Sequence, residues 1–411
     1  MTGIRKNLYY NTLLTSAYYV FPLLVYPYVS RVLGVAGIGL VGFIDSIATY
    51  FILFSMMGIS ILGVRETARC GASLVRRRSV FYSLLALHGI LTAVALAAMI
   101  AVTLCVPELR DQWQMMGVGA CKLVFNLFLV EWFYRGLEDF RFITLRSLLI
   151  RGLYVVSVFV FVRHRQDILV YYVLTLLVVA VSAAVNMWHS RRFMARRRVP
   201  LDLWRYVRPF FSLGAYELLA SAYTTLNVAF LGFVSTDTEV GYYTTAVKLV
   251  SILMMVYVSF SGVLLPRMSS LAAEGDMDRF DAYLRKAMRI LLWFSVPVVA
   301  VVEIFAPEVV LLLSGPGYEG AVTPIRIMIP FLLITGVEQL FTVQTLMPMG
   351  KERVIFRNTI LGAVTGVALN ILLVPHMGAE GSAIVWAAAE LVIFVGAMVS
   401  VIRLRRLRNG V

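Results

Sequence analysis

Residues 7–69 read NLYYNTLLTSAYYVFPLLVYPYVSRVLGVAGIGLVGFIDSIATYFILFSMMGISILGVRETAR. The stretch contains two apolar runs of about 20 residues, which is the length of a helix that crosses the hydrocarbon core of a bilayer. A short turn that is rich in glycine joins the two runs, and the second run ends in a charged segment that contains Arg65, Glu66 and Arg69. This pattern predicts a transmembrane hairpin.

The whole chain has the composition of a membrane protein. It has 411 residues, of which 60% are hydrophobic. A soluble fold could not cover so much apolar surface without large exposed patches. The first apolar run is longer than the core of a signal peptide, so we expect no cleaved leader. The composition therefore predicts an all-α polytopic membrane protein.

The positive charges alternate between dense and sparse segments along the chain. Of the Lys and Arg residues that lie between predicted helices, 29 fall on one side of the predicted membrane and 4 on the other. By the positive-inside rule, this asymmetry predicts that both termini lie in the cytoplasm. It also explains the net charge of +14 without a nucleic-acid partner.

Run lengths and bounding charges predict 12 transmembrane helices, six in each half of the chain, and those of the first half include spans at about 38–62 and 114–134. The predicted halves are residues 1–188 and 209–411, and a basic cytoplasmic linker at 189–208 joins them. Six helices per half, both entering from the same face, indicate a parallel pseudo-symmetric repeat. Such a repeat is expected to enclose a central cavity and to rock between inward-open and outward-open forms.

Matching positions in the two halves support the repeat. Gly39 begins the second predicted helix and Gly241 begins the eighth, and an arginine follows each glycine by 26 residues, at Arg65 and Arg267. Asp45 and Lys248 fall at nearly the same depth in these two helices. Arg65 and Arg267 are therefore candidates for loop or gate positions.

The sequence predicts a transporter and no enzyme. No segment between predicted helices is long enough for a soluble catalytic or nucleotide-binding domain, and the chain has no GxxxxGK[ST] loop. The three cysteines, Cys70, Cys105 and Cys121, lack the spacing of a metal site. A membrane-embedded transferase or polymerase would need larger outer loops with catalytic residues. We therefore predict no catalytic residue, no metal and no cofactor.

Cations inside the predicted helices are candidates for a binding site, because each costs about 2.5–3.5 kcal/mol when it faces lipid. Lys122 and Lys248 are the deepest, about 10–12 Å below the outer boundary of the hydrocarbon core. Asn126 follows Lys122 by one turn on the same face. Arg151 either lines the cavity or snorkels to headgroups, and Arg31 is either a site residue or an interface anchor.

Acids inside the predicted helices are the second group of candidates. Asp45, Glu217, Glu338 and Glu390 each either pair with one of the cations or bind a coupling proton or Na⁺. Glu131 and Arg135 are four residues apart and are predicted to pair at a cytoplasmic helix end, outside the site.

Four segments carry a resemblance to a known family. They are YPYVSRVLG at 26–34, GIGLVGFIDSIATYF at 37–51, LGVRETA at 62–68 and PRMSSL at 266–271. They resemble Wzx-type polysaccharide flippases of the multidrug/oligosaccharidyl-lipid/polysaccharide (MOP) exporter superfamily. The resemblance implies a MATE-like fold, and Arg31, Asp45 and Arg65 carry the charges of its motifs.

The resemblance also implies a cargo and a location. The cargo would be an undecaprenyl-diphosphate-linked oligosaccharide that moves from the cytoplasmic to the periplasmic leaflet of the bacterial inner membrane for O-antigen or exopolysaccharide biosynthesis. Membrane lipids, a polysaccharide polymerase and a chain-length regulator would be the partners. An ion-coupled small-molecule (multidrug) exporter of the same fold is the alternative, and an acid-dominated aromatic pocket would favour it.

Physical chemistry assigns roles to the candidates within that mechanism. A diphosphate needs a wet cavity lined by cations, because lysine and arginine neutralise its charge. We therefore expect Arg31, Lys122, Asn126, Arg151 and Lys248 to bind the diphosphate or the glycan. The four acids would titrate and couple transport to a proton gradient, a Na⁺ gradient or the membrane potential.

Overall fold

The computed structural model describes residues 2–195, 199–221 and 224–408, and within these ranges every regular element is a helix. The chain packs as two compact units. The first unit contains Met1–Leu33 and Val41–Ser221, and the second contains Gly34–Leu40 and Ala222–Val411. The predicted domain limits at 188 and 209 stay a prediction.

The first unit is built from the helices before residue 222. They are α1 (Thr2–Met56), α2 (Ile59–Ala68), α3 (Leu74–Cys105), α4 (Pro107–Asp111), α5 (Trp113–Asn126), α6 (Glu131–Gly136), α7 (Phe140–Phe161), α8 (Ile168–Ser190) and α9 (Trp204–Ser221). A 3₁₀ turn at Arg191–Phe193 follows α8.

The second unit is built from the later helices. They are α10 (Thr225–Val234), α11 (Asp237–Glu274), α12 (Met277–Ile304), α13 (Ala306–Ser314), α14 (Val322–Met328), α15 (Phe331–Phe341) and α16 (Glu352–Arg408). A 3₁₀ turn at Glu319–Ala321 precedes α14, and a π-helix at Thr342–Leu346 follows α15.

Two elements, α1 and α16, each consist of two helices that meet at a glycine. Gly34 has a φ of 71° and Gly378 has a φ of 53°. Glycine is the residue that adopts such values without a Cβ clash. At the second junction, Glu239 Oε2 accepts a hydrogen bond from the backbone N–H of Ala379 at 2.8 Å. This carboxylate caps the start of the second helix of α16.

The helices are suited to a bilayer. Within the described ranges, 9 helical segments are long and apolar enough to cross a membrane. Large apolar side chains on them are exposed, including Leu149 at 74% and Trp293 at 86%. Lipid is the environment that such surfaces favour. The prediction of a helical polytopic membrane protein is confirmed.

Two of the spans predicted in the first half of the chain are interrupted. The span predicted at 38–62 breaks between α1 and α2, where Met57 has a φ of 38° and Gly58 N–H donates to the carbonyl oxygen of Phe210 at 3.2 Å. The span predicted at 114–134 breaks between α5 and α6, where Val130 has a φ of 38°. Hydropathy did not reveal the second break, because residues 127–130 are all apolar.

Aromatic side chains form the core of the first unit. The Phe81 ring on α3 lies 4.9 Å from the Phe133 ring and 5.7 Å from the Trp132 ring, measured between centroids. Gly63 on α2 leaves room for the indole of Trp132, since a Cβ there would contact that ring. The consecutive aromatic residues of α6 thereby join α2 and α3 into one core.

Two glycines allow close backbone contact within the second unit. A Cβ at Gly39 would overlap the carbonyl oxygen of Asp237, and a Cβ at Gly241 would overlap the carbonyl oxygen of Val35. The start of the second helix of α1 therefore lies directly against the start of α11. These are the two glycines that occupy matching positions in the sequence repeat.

We expect Gly241→Ala to destabilise the protein by about 1–3 kcal/mol, because the added methyl group must displace a backbone carbonyl. Gly262→Ala is the matched control, since Gly262 lies on the same helix and a Cβ there has no described atom within 4 Å. Thermal unfolding in a neutral detergent compares the two variants. Equal melting temperatures would show that the close contact is unimportant.

Candidate functional site

The first unit brings Asp45 and Lys122 together inside its helix bundle. Asp45 lies on the second helix of α1, Lys122 on α5 and Tyr172 on α8. Lys122 Nζ donates to Asp45 Oδ1, and the Tyr172 hydroxyl donates to the same oxygen at 3.2 Å. The ammonium also lies 4.7 Å from the centroid of the Tyr172 ring. An ion pair and a cation–π contact therefore stabilise the charged lysine.

The two members of the ion pair differ in exposure. The Lys122 side chain is 12% exposed and the Asp45 side chain is 41% exposed. Close helix packing helps to form the pair, because a Cβ at Gly119 would lie 3.0 Å from the Cβ of Ala48. α5 therefore approaches the second helix of α1 closely enough for a short aspartate side chain to reach the lysine.

Tyrosines on α7 and α8 extend this polar group. The hydroxyls of Tyr154 and Tyr171 lie near each other, and Arg151 and Asp45 both lie near Tyr154. Arg151 is half-buried on α7, about one turn before Tyr154. The structure therefore brings Arg151 to the edge of the group that contains Asp45.

Two further candidates lie on α5 and on the first helix of α1. Asn126 is the last residue of α5, and its Oδ1 atom is buried and accepts no hydrogen bond from any described residue. Arg31 is exposed on the first helix of α1, where its Nη1 donates to the carbonyl oxygen of Pro27 at 2.5 Å. The Arg31 side chain therefore packs against the preceding turn of its own helix.

The second unit contains two buried carboxylates on packed helices. Glu338 on α15 and Glu390 on the second helix of α16 are 9% and 7% exposed. Thr342 Oγ1 donates to Glu338 Oε1 at 2.5 Å, and Thr335 Oγ1 donates to Glu390 Oε2 at 3.3 Å. Because Thr335 and Glu338 share one face of α15, both acids border one polar region.

The backbone changes its hydrogen-bonding pattern just after Glu338. Residues Thr342–Leu346 form a π-helix, and the Gln344 side chain within it donates to the hydroxyl and carbonyl oxygens of Ser261 at 2.6 and 3.0 Å. Turns of π-helix are rare and occur frequently at functional sites. The distortion therefore strengthens the case for a functional role of Glu338.

The remaining predicted residues lie elsewhere. Lys248 is half-buried on α11 of the second unit, and Arg267 is exposed farther along the same helix. Arg65 on α2 of the first unit donates to the buried Glu66 at 3.2 Å. The side chain of Glu217 lies outside the described part of the chain.

Sequence analysis missed a second buried ion pair in the first unit. The Arg146 side chain is 4% exposed, and it donates to Glu131 Oε1 at 2.5 Å and to the side-chain oxygen of Asn186. Arg135, the predicted partner of Glu131, lies farther away, at 3.9 Å. The available signal was an arginine within the apolar run FITLRSLLI at 142–150.

Comparison with known proteins gives matches over almost the whole chain. The sequence profile of a family described as "Polysaccharide biosynthesis protein" matches residues 4–272, and the profile of the MatE family matches 214–372. The chain is 24% identical over 395 residues to an Escherichia coli K12 protein named "Putative O-antigen transporter", with 94% of each chain covered.

Solved structures share the fold. The lipid II flippase MurJ, in an inward closed conformation, matches with a TM-score of 0.74 at 11% identity, and covers 97% of this chain and 87% of its own. An inward-facing multidrug resistance MATE transporter of the MOP superfamily matches with a TM-score of 0.70 at 16% identity, and covers 98% of this chain and 96% of its own. The predicted MOP fold is confirmed.

We expect Asp45→Asn to lower the free energy of unfolding by about 1–2 kcal/mol, because it leaves the Lys122 ammonium without its anion. Removing one partner of a fully buried pair costs more, about 3–5 kcal/mol, but this aspartate is partly exposed. The double variant Asp45→Asn/Lys122→Gln should recover part of the loss. Thermal unfolding of the wild type, both single variants and the double variant measures these changes in stability. Asp111→Asn, at an exposed carboxylate, is the control.

Simple additivity of the two single-variant losses would contradict the pairing, since coupled residues give non-additive changes in stability.

Proposed function

Since this chain belongs to the polysaccharide biosynthesis protein family, we propose that it is a flippase that moves a lipid-linked oligosaccharide from one membrane leaflet to the other. The full-length similarity to a protein named as an O-antigen transporter supports this cargo class. The fold shared with a lipid II flippase is compatible with it. We propose an undecaprenyl-diphosphate-linked repeat unit, moved from the cytoplasmic to the periplasmic leaflet.

The observation that carries this proposal is the largely buried ammonium of Lys122. It is held by Asp45, whose carboxylate is the more accessible partner. A diphosphate is an anion of higher charge and could take the place of that carboxylate at the ammonium. Binding by exchange would cost little, because the lysine never loses an anionic neighbour.

A topology with 12 spans fits this mechanism. Two of the 9 apolar segments, Val20–Ala68 and Glu352–Arg406, have 49 and 55 residues. Each is at least twice the length needed for one crossing of a core of about 30 Å. Each would therefore cross twice, and α9 with α10 would supply the last span. The excess of basic residues supports cytoplasmic termini and the bacterial inner membrane.

Further elements of the mechanism are also proposals. Alternation between inward-open and outward-open forms around a central cavity would carry the headgroup across, with Arg31, Asn126, Arg151 and Lys248 as additional ligands and Arg65 and Arg267 at the gates. A polysaccharide polymerase would receive the product, together with a chain-length regulator.

The buried acids are suited to ion coupling. Glu338 and Glu390 lie beside threonine hydroxyls, a setting in which a carboxylate can exchange a proton or bind Na⁺ through oxygen ligands. We propose that these two acids, with Asp45 and Glu217, couple the conformational cycle to an ion gradient.

We expect Lys122→Ala/Lys248→Ala to abolish surface polysaccharide when it replaces the wild-type chain in its host. The control is Lys286→Ala/Lys351→Ala, which removes two exposed lysines and should keep production at the wild-type level. Polysaccharide is quantified by immunoblot at equal membrane abundance. Full production in the first double variant would remove both lysines from the site.

We expect Glu338→Gln to make flipping unresponsive to an ion gradient, because glutamine cannot change its charge. Translocation of a fluorescent lipid-linked oligosaccharide in proteoliposomes is measured with and without imposed pH and Na⁺ gradients. Glu308→Gln, at an exposed acid, should respond like the wild type. An unchanged gradient response in Glu338→Gln would exclude Glu338 as a coupling residue.

A further inference from the structure

A pocket of about 580 Å³ lies in the first unit where α3 begins and α8 ends. Its lining includes three arginines, Arg78, Arg191 and Arg192, and two aromatic residues, Tyr82 and Trp188. Among the described residues that line it, none is acidic. We propose that this basic pocket binds the phosphate headgroup of an anionic membrane phospholipid.

Aromatic rings orient two of the three guanidinium groups. The Arg78 guanidinium lies 4.9 Å from the centroid of the Tyr82 ring, and its Nη1 donates to the carbonyl oxygen of Ala195 at 2.8 Å. The Arg192 guanidinium lies 5.0 Å from the centroid of the Trp188 ring. Each guanidinium carries five N–H donors, so these contacts leave capacity for phosphate oxygens.

The pocket is a built structure, because the chain after α8 is fastened to α3. The backbone N–H of Ala195 donates to the carbonyl oxygen of Leu74 at 3.3 Å. The Ser79 hydroxyl donates to the carbonyl oxygen of Pro200 at 3.1 Å. Such contacts distinguish this region from a basic tail that attracts anions only through its charge.

The chemistry of the lining favours a phospholipid headgroup. Arginine binds phosphate through two parallel hydrogen bonds, and basic pockets between transmembrane helices bind anionic headgroups. The Trp188 side chain is 61% exposed, and tryptophan prefers the membrane interface. Leu177 precedes Trp188 on α8 by about three turns. It is 48% exposed and offers an apolar surface for an acyl chain. The volume falls within the range of roughly 300–1,000 Å³ that is common for ligand pockets.

Native mass spectrometry of the purified full chain in a neutral detergent tests the proposal. Dioleoylphosphatidylglycerol is titrated, with dioleoylphosphatidylcholine as the zwitterionic comparison. We expect Arg191→Gln/Arg192→Gln to bind phosphatidylglycerol about tenfold more weakly than the wild type, because each basic residue near the headgroups adds substantially to the attraction. Binding of phosphatidylcholine should not change.

Two further arms separate the pocket from other sources of binding. Arg403→Gln/Arg406→Gln removes the same charge from exposed positions on α16 and should keep the wild-type affinity for phosphatidylglycerol. Farnesyl diphosphate at the same concentration represents a prenyl diphosphate cargo. We expect it not to displace the phospholipid, so the result does not depend on the flippase proposal.

Any one of the following results would overturn the proposal: unchanged phosphatidylglycerol binding in Arg191→Gln/Arg192→Gln, equal losses in both double variants, or displacement by farnesyl diphosphate. Thermal unfolding in the presence of phosphatidylcholine reports whether the glutamine variant folds.

Arg191→Lys/Arg192→Lys keeps the charge, so it remains informative if the glutamine variant does not fold. We expect about threefold weaker binding, because lysine lacks the planar fork. Wild-type affinity in the lysine variant would also count against the site.

Discussion

A charge inside a bilayer must be neutralised or hydrated, and the polar interior of this protein follows from that constraint. Lys122 and Arg146 each lie within the first unit and each donate to a carboxylate, Asp45 and Glu131 respectively. The environments of the two pairs differ. Arg146 is almost fully buried and holds α6, α7 and α8 together, whereas the aspartate that pairs with Lys122 is partly exposed. The more deeply buried pair is suited to a structural role, and the more exposed pair is suited to an exchange of its anion.

Close helix packing is the second requirement, because short polar side chains meet only when backbones approach. Gly119 brings α5 near the second helix of α1, where Asp45 lies. Gly39 and Gly241 do the same for the starts of α1's second helix and α11. Small residues are the usual means of close approach between membrane helices, where apolar side chains gain nothing by leaving lipid. At Gly119, close packing and an ion pair therefore depend on the same glycine.

Hydropathy and charge were sufficient to predict a helical membrane protein, because lipid imposes long apolar runs on any spanning helix. The pairing of Asp45 with Lys122 was one of two alternatives that the sequence left open. The break at Val130 was not predictable, since residues 127–130 contain neither glycine nor proline. At the other break, Gly58 directly follows Met57 and is a local signal. Arg146 was missed because an arginine near a helix end has the same sequence signature whether it pairs or faces water.

The described contacts of the buried charges differ between the two units, and the difference fits the proposed transport cycle. In the first unit Lys122 and Arg146 are each paired with a carboxylate. The carboxylate can leave such a pair when another anion takes its place beside the cation. In the second unit Glu338 and Glu390 lie beside hydroxyl groups, which can serve either a protonated acid or a carboxylate with a bound cation. A carrier of a diphosphate that draws on an ion gradient needs one region of each kind. Cargo bound at one region and an ion bound at the other would be coupled if both favour or oppose the same change of conformation.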